Sequence, residues 1–141
     1  MSETVHATCV AIGGRGVLIR GRSGSGKSDL ALRLIDRGAR LVGDDYVTLA
    51  QEGGRILACA PETIAGKLEV RGIGIVEIEP VADVPICLVI DLDRSPERLP
   101  DRMDEAVLPG AAIPILGLAA LEASAPLKLE QALLRFGLPL P

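Results

Sequence analysis

Aromatic side chains are nearly missing from this chain of 141 residues: Tyr46 and Phe136 stand alone, and there is no tryptophan. That excludes the stacking platforms on which single-stranded nucleic acid is usually bound. A basic excess is missing too. The net charge is −4, so no basic footprint for nucleic acid runs through the composition. Cys9, Cys59 and Cys87 form no CxxC pair. This argues against a zinc knuckle or a disulfide framework, and each reads as a small buried hydrophobe in a reducing compartment. No uninterrupted apolar run is long enough for a bilayer. The most apolar stretch, Ala106 to Leu121, is broken by Pro109, Gly110, Pro114 and Gly117. The first residues lack the basic start and apolar core of a secretory signal. A cytoplasmic protein, with no membrane and no nucleic-acid partner, is expected.

What is present is aliphatic. The hydrophobic fraction is 48%, so the core must be built from Val, Ile, Leu and Ala. The length predicts one domain over residues 1–141. Such a chain buries roughly 70% of its unfolded surface.

Residues 21–28 read Gly-Arg-Ser-Gly-Ser-Gly-Lys-Ser, a complete GxxxxGK[ST] phosphate-binding loop. An apolar run, Gly16-Val17-Leu18-Ile19, leads in like a strand. A helical pattern from Ser28 to Arg37 leads out, with Leu30, Ala31, Leu34 and Ile35 on one face. Gly21, Gly24 and Gly26 allow a tight turn whose N–H groups point at phosphate oxygens. Lys27 supplies a point charge to the β/γ-phosphates and Ser28 a hydroxyl for Mg²⁺. The helix N-terminus adds a favourable dipole. The context predicts a site for a nucleoside triphosphate.

Strand signals dominate elsewhere. Val5 to Ile12 and Gly16 to Arg20 predict a hairpin. Tyr46–Ala50 and Arg55–Ala60 predict another, around Glu52-Gly53-Gly54. Leu68–Val70 and Gly74–Ile78 are β-like. Pro85 to Ile90 is continuously apolar, as in a strand buried on both faces. Short edge strands are expected near Ala106–Leu108 and Ile113–Leu116, and a last helix over Leu127–Phe136. The fold class expected is α/β with a largely β-built core. The stretch Ala106–Leu121 and the tail from Leu138 are expected to cover a subunit or partner surface, making a homo-oligomer.

A phosphate loop that serves phosphoryl transfer needs a metal-holding carboxylate and a base for the acceptor. Asp44-Asp45 ends a short strand, and neighbours on an extended segment point to opposite faces. One can accept a proton while the other supports the site, or the pair can simply mark a turn. Asp91, ending the strand-like Ile-Cys-Leu-Val-Ile-Asp, competes for the metal by its position. Leu68-Glu69-Val70-Arg71-Gly72-Ile73-Gly74-Ile75 carries a charged pair inside an apolar run. Either the pair engages a ligand, or it is solvated on an edge strand. His6 is the single histidine.

His6, GRSGSGKSD, RGARLVGDD and EVRGIGI, in this order and spacing, resemble the kinase domain of bacterial HPr kinase/phosphorylase. The resemblance covers roughly residues 5–80, and EVRGIGI is its most specific part. It implies a nucleotide-binding core similar to that of phosphoenolpyruvate carboxykinase. It assigns Gly21, Arg22, Ser23, Gly24, Ser25, Gly26, Lys27, Ser28 and Asp29 to the nucleotide, with Arg71 on phosphate. It gives Mg²⁺ to Ser28 and Glu69, displacing Asp91, and gives Asp45 a supporting place at the metal. Asp44 becomes the proton acceptor for the substrate serine, with His6 beside it. Arg98, in Glu-Arg-Leu-Pro, matches a family arginine loosely and is counted with Lys27 among the catalytic residues.

The family's N-terminal domain has no counterpart here, and its Pro-Val-x-Pro-Gly-Arg-Asn segment is replaced by Leu118–Leu127, without arginine. Arg22 replaces an acidic residue common in the loop. This compact form resembles the short version of alphaproteobacteria. The function expected is an ATP-dependent protein-serine kinase for an HPr-like phosphocarrier, with reduced or no phosphorylase activity. The alternative is an ATP-binding regulatory module that acts on a sensor kinase or regulator without transfer. A small-molecule kinase would need a second set of polar anchors, and the sequence shows none.

Overall fold

The structure is a computed structural model and describes residues 2–141. The run expected from Val5 to Ile12 is two strands, β1 (Ser2–His6) and β2 (Thr8–Ile12), parted at Ala7. β3 (Arg15–Arg20) returns antiparallel to β2, as the hairpin signal predicted. β2 also pairs with β4 (Arg40–Gly43), while β1 pairs with β5 (Tyr46–Glu52). Two long stretches of chain therefore run side by side and break at the same level, Ala7 in one and Asp44-Asp45 in the other. The Ala7 N–H donates to the Asp45 carbonyl at 3.1 Å across this break. Asp45 itself lies in the left-handed region, φ 70°, which Asp tolerates better than most residues.

β5 turns through Gly53-Gly54 into β6 (Arg55–Cys59), as expected. β9 (Val84–Asp91) is the centre of the nine-stranded sheet. It runs parallel to β3 along one edge; on the other, β6 meets its start and β11 (Ala111–Gly117) its end. Cys87 is the extra residue of a bulge opposite Gly16 and Val17. Its carbonyl accepts the Leu138 N–H at 2.9 Å. β10 (Asp104–Leu108) pairs only with β11. Of the two strands expected at the edge, β10 is one; β11 is sandwiched between β9 and β10.

The sheet has an apolar layer on each face. One layer takes Val17, Ile19, Leu88 and Ile90 from the strands and meets both helices, α1 (Lys27–Asp36) and α2 (Ala125–Phe136). Leu30, Ala31 and Leu34 of α1 are fully buried there. Each leucine contributes about 2 kcal/mol by leaving water. Arg37 ties the end of α1 to Glu130 of α2 through two hydrogen bonds of 2.9 and 2.8 Å. The other layer gathers Leu18, Val89, Leu49, Ile56, Ile113 and Ile115. Cys9 belongs to it; burial pushes its thiol pKa up, and Cys87 nearby adds to the shift.

Ala106–Leu121 does not form the broad external surface that its apolarity suggested. Ala106, Leu108, Ile113, Ile115, Leu118 and Ala120 are all buried within the chain itself. The tail also folds back: Arg15 donates to the Leu138 carbonyl at 2.8 Å and Arg55 to that of Pro139 at 2.8 Å. β7 (Lys67–Val70) and β8 (Gly74–Glu77) form a separate two-stranded sheet. Its Leu68 is buried against α1, and its opposite face is left to solvent. Among the described residues, no helix is long and apolar enough to cross a membrane.

Candidate active site

β3 delivers the chain to the phosphate loop, and α1 begins at Lys27, on the loop's last two residues. Gly24 and Gly26 have φ of 81° and 102°, so a side chain at either would be strained. Gly26 caps the helix, leaving its first N–H groups facing the cleft. Lys27 is only 7% exposed. Its ammonium donates to the Gly21 carbonyl at 2.8 Å and to the Arg22 carbonyl at 3.0 Å. The charge is thereby held over the loop.

The two aspartates of the β4–β5 junction have different surroundings. Asp44 is 4% exposed and accepts three hydrogen bonds. Thr8 Oγ1 donates at 2.9 Å, Ser28 Oγ at 2.6 Å and the Glu69 N–H at 3.0 Å. Its carboxylate thus joins β2, the start of α1 and β7 into one block. Asp45 turns the other way, its left-handed backbone breaking the run between β4 and β5. It lines the cleft, and its Oδ1 meets His6 Nε2 at 3.1 Å. The His6 ring in turn rests near Tyr46, with ring centroids 5.4 Å apart.

The cleft has a volume of about 340 Å³. Of the sequence candidates, it brings together His6, Ser23, Gly24, Gly26, Lys27, Ser28, Asp29, Asp45, Glu69 and Arg71. Gly21, Arg22 and Ser25 belong to the loop but do not line the cleft. Asp44, expected as the proton acceptor, lies behind the wall and not on it. Asp45, expected as a metal support, holds the exposed place beside His6. Arg98 is not brought to the cleft; it stands exposed on the segment between β9 and β10. Asp91 is drawn into a turn, accepting the Asp93 N–H at 2.9 Å and facing Arg20 Nε at 3.6 Å.

Two participants were not singled out from the sequence. Thr8 is a fully buried hydroxyl whose one contribution is the bond to Asp44. Its position two residues after His6 was the available signal, although the break at Ala7 puts the two in different strands. Leu121 lines the cleft while 85% exposed. Arg33 fixes that wall by donating to the carbonyls of Ala120 and, at 3.2 Å, Glu122.

The donors fit a magnesium ion carried in by phosphates better than a resident ion. Among the described residues, no cluster of three or more His, Cys, Asp or Glu side chains is placed to hold a metal. Magnesium commonly takes one or two carboxylates and completes its shell with phosphate and water. Glu69 and Asp45 face the cleft with the Ser28 hydroxyl between the helix and Asp44. Because Ser28 gives its proton to Asp44, its lone pairs are left for a cation.

A glycine-rich phosphate loop opening a helix on a mostly β core, faced by a histidine–aspartate pair, defines an α/β nucleotide-binding domain. The model of the HPr serine kinase C-terminal domain family matches residues 1–117, and the chain belongs to that family. It is 45% identical over 111 residues to the HPr kinase/phosphorylase of Geobacillus thermodenitrificans, covering 72% of this chain and 36% of that protein. It is 51% identical over 78 residues to that of Brevibacillus brevis, covering 55% and 25%. The chain thus matches about a third or less of the length of these relatives. Among solved structures, the HPr(Ser) kinase/phosphatase of Coxiella burnetii superposes with a TM-score of 0.79 at 31% identity. That match covers 92% of this chain and 87% of the other.

Proposed function

We propose that this chain is an ATP-dependent protein-serine kinase acting on an HPr-like phosphocarrier. One observation carries the reading: the phosphate loop and the Asp45–His6 pair line one and the same cleft. A nucleotide binder alone has no use for the second half. The names of the relatives support the same reaction.

In this reading the loop amides and Lys27 hold the donor phosphates, with Arg71 on the acceptor side of them. Ser28 and Glu69 hold Mg²⁺, with Asp45 within the same cleft; bound there, the ion neutralises charge on the phosphates. Asp45, rather than Asp44, accepts the serine proton, because it is the carboxylate that a substrate can reach. His6 orients it through the 3.1 Å contact. Asp44 is the joint that keeps Ser28 and the Glu69 backbone in register. Positioning and electrostatics of this kind supply most of what phosphoryl transfer needs.

Phosphorolysis of the phosphorylated carrier is reduced or absent in this reading, since Leu118–Leu127 offers no arginine. Self-association is a further part of it, with Val107 and Leu134, 87% and 71% exposed, as apolar contacts. A single monomer mass by light scattering at all concentrations rules that part out.

The test is to mix the protein with ATP, Mg²⁺ and the carrier encoded by the same genome, then detect phosphoserine by mass spectrometry. Transfer that disappears in Asp45→Asn while ATP still binds supports the assignment. ATP binding with no transfer under any condition supports the regulatory alternative instead.

A further inference from the structure

The peptide unit between Gly21 and Arg22 is gripped from both sides. Its carbonyl accepts the Lys27 ammonium at 2.8 Å, and its N–H donates to Asp93 Oδ2 at 2.8 Å. In a trans peptide, N–H and C=O point in opposite directions within one rigid plane, so fixing one aims the other. Asp93 is itself held firmly. Its N–H donates to Asp91 Oδ1 at 2.9 Å, and the Leu92 N–H donates to the Arg20 carbonyl at 2.8 Å. The turn that follows the central strand β9 is thereby bonded to the residues that open the phosphate loop. Asp91, whose strand-end position resembled that of a metal ligand, serves this turn.

We propose that Asp93 is a positioning residue for Lys27. Its carboxylate sets the plane of the Gly21–Arg22 peptide, and that plane presents the nearer of the two carbonyls that hold the ammonium over the loop. The inference rests on the reading of residues 21–28 as a phosphate site, since only there does the direction of Lys27 matter. It does not depend on which acceptor receives the phosphoryl group. Neither Asp93 carboxylate oxygen needs to touch the nucleotide.

The direct test follows the reactivity of Lys27 in the intact protein. Wild type, Asp93→Ala and Asp93→Asn are treated briefly with acetic anhydride, and acetylation at each lysine is read by mass spectrometry. Lys67 and Lys128 are internal controls. A hydrogen bond to a charged group, once lost, corresponds to about a tenfold change in the equilibrium that protects the amine. In Asp93→Ala, Lys27 is expected to react about tenfold faster, with Lys67 and Lys128 unchanged. ATP binding should weaken by a similar factor. Asp93→Asn keeps an acceptor oxygen for the Arg22 N–H and should restore the protection of Lys27.

Lys27 reacting at the wild-type rate in Asp93→Ala overturns the proposal. So does acceleration of all three lysines together, which signals general loosening, or an Asn variant as reactive as the Ala variant. The acetylation assay needs neither nucleotide nor carrier. Failure of phosphoryl transfer in the wild type would therefore remove the kinase reading and leave this inference standing on Lys27 alone.

Discussion

On one wall of the cleft, Lys27 is 7% exposed, and the helix it begins sinks Leu30, Ala31 and Leu34 into the core. Elsewhere on the lining of the same cleft, the side chains of His6 and Asp45 are 39% and 66% exposed and hold chiefly each other. The donor wall is braced from below by Asp44 and from behind by the turn at Asp91–Asp93. The acceptor wall stands on a break in two strands. A triphosphate brings a defined set of anionic oxygens, and a rigid cradle of N–H groups at a helix start suits it. In the proposed reading a protein substrate brings its own backbone to the His6–Asp45 side, and the exposure of that pair admits it. The difference also separates two adjacent aspartates by role. Asp44 is tied into the architecture by three hydrogen bonds, and the proposed reading gives the chemistry to Asp45.

The strongest way to test that separation is to exchange the effects of the two aspartates. Asp45→Asn removes the base while leaving the backbone able to keep its positive φ. Transfer to the carrier should fall by about 100-fold or more, while stability stays within about 0.5 kcal/mol of wild type. Steady-state transfer rates and urea unfolding measure the two quantities. A variant that keeps its rate would remove Asp45 from the proton path. Asp44→Ala should do the reverse damage. It strands the Thr8 hydroxyl, the Ser28 hydroxyl and the Glu69 N–H, and should cost about 3 kcal/mol in unfolding free energy. Denaturation midpoints for Asp44→Ala and Asp45→Ala that coincide would contradict the division.

The donor wall was legible in the sequence because its signal is local. Eight consecutive residues, a strand before and a helix after define the loop, and α1 begins within one residue of the expected start. β9 was equally plain, since a strand covered on both faces has no polar positions. The acceptor wall depends on pairings between distant strands. That Val5–Ile12 would divide at Ala7 follows from β1 and β2 taking different partners, β5 and β4. No residue in the run announces it. The same break decides which aspartate meets His6. Alternation predicted that Asp44 and Asp45 would face opposite ways, but not which one would face the cleft. The resemblance assigned an order within the pair, Asp44 as proton acceptor and Asp45 at the metal, whereas the structure sets Asp45 beside His6 and buries Asp44. The apolarity of Ala106–Leu121 was misleading for a related reason. A strand buried between β9 and β10 reads much like one awaiting a partner.

Glu69 gives a sharper test, because it joins the two walls. Its backbone N–H is bonded to Asp44, while its side chain lines the cleft. Glu69→Gln retains the backbone bond and the length of the side chain but removes the charge. Folding should be unchanged, and the Mg²⁺ concentration for half-maximal transfer should rise by about tenfold. A magnesium titration at saturating ATP measures it. An unchanged requirement would move the metal away from β7 and leave Asp45 with Ser28 as its holders.

The smallest effect is expected at Arg98. The resemblance counted it with the catalytic residues, but the match there was loose. The structure puts it on the exposed segment between β9 and β10, outside the set that lines the cleft. Within that segment the arginine with a defined partner is Arg94, which meets Asp104 at 3.0 Å. An exposed arginine with no part in the cleft contributes little when truncated, so Arg98→Ala should change kcat/KM by no more than about twofold. The measurement is a transfer assay at low carrier concentration, where loss of a contact to the protein substrate shows most directly. A large drop in kcat at unchanged stability would mean that the 92–103 segment reaches the acceptor wall during the reaction. In that case the openness of that wall would describe only part of the catalytic cycle.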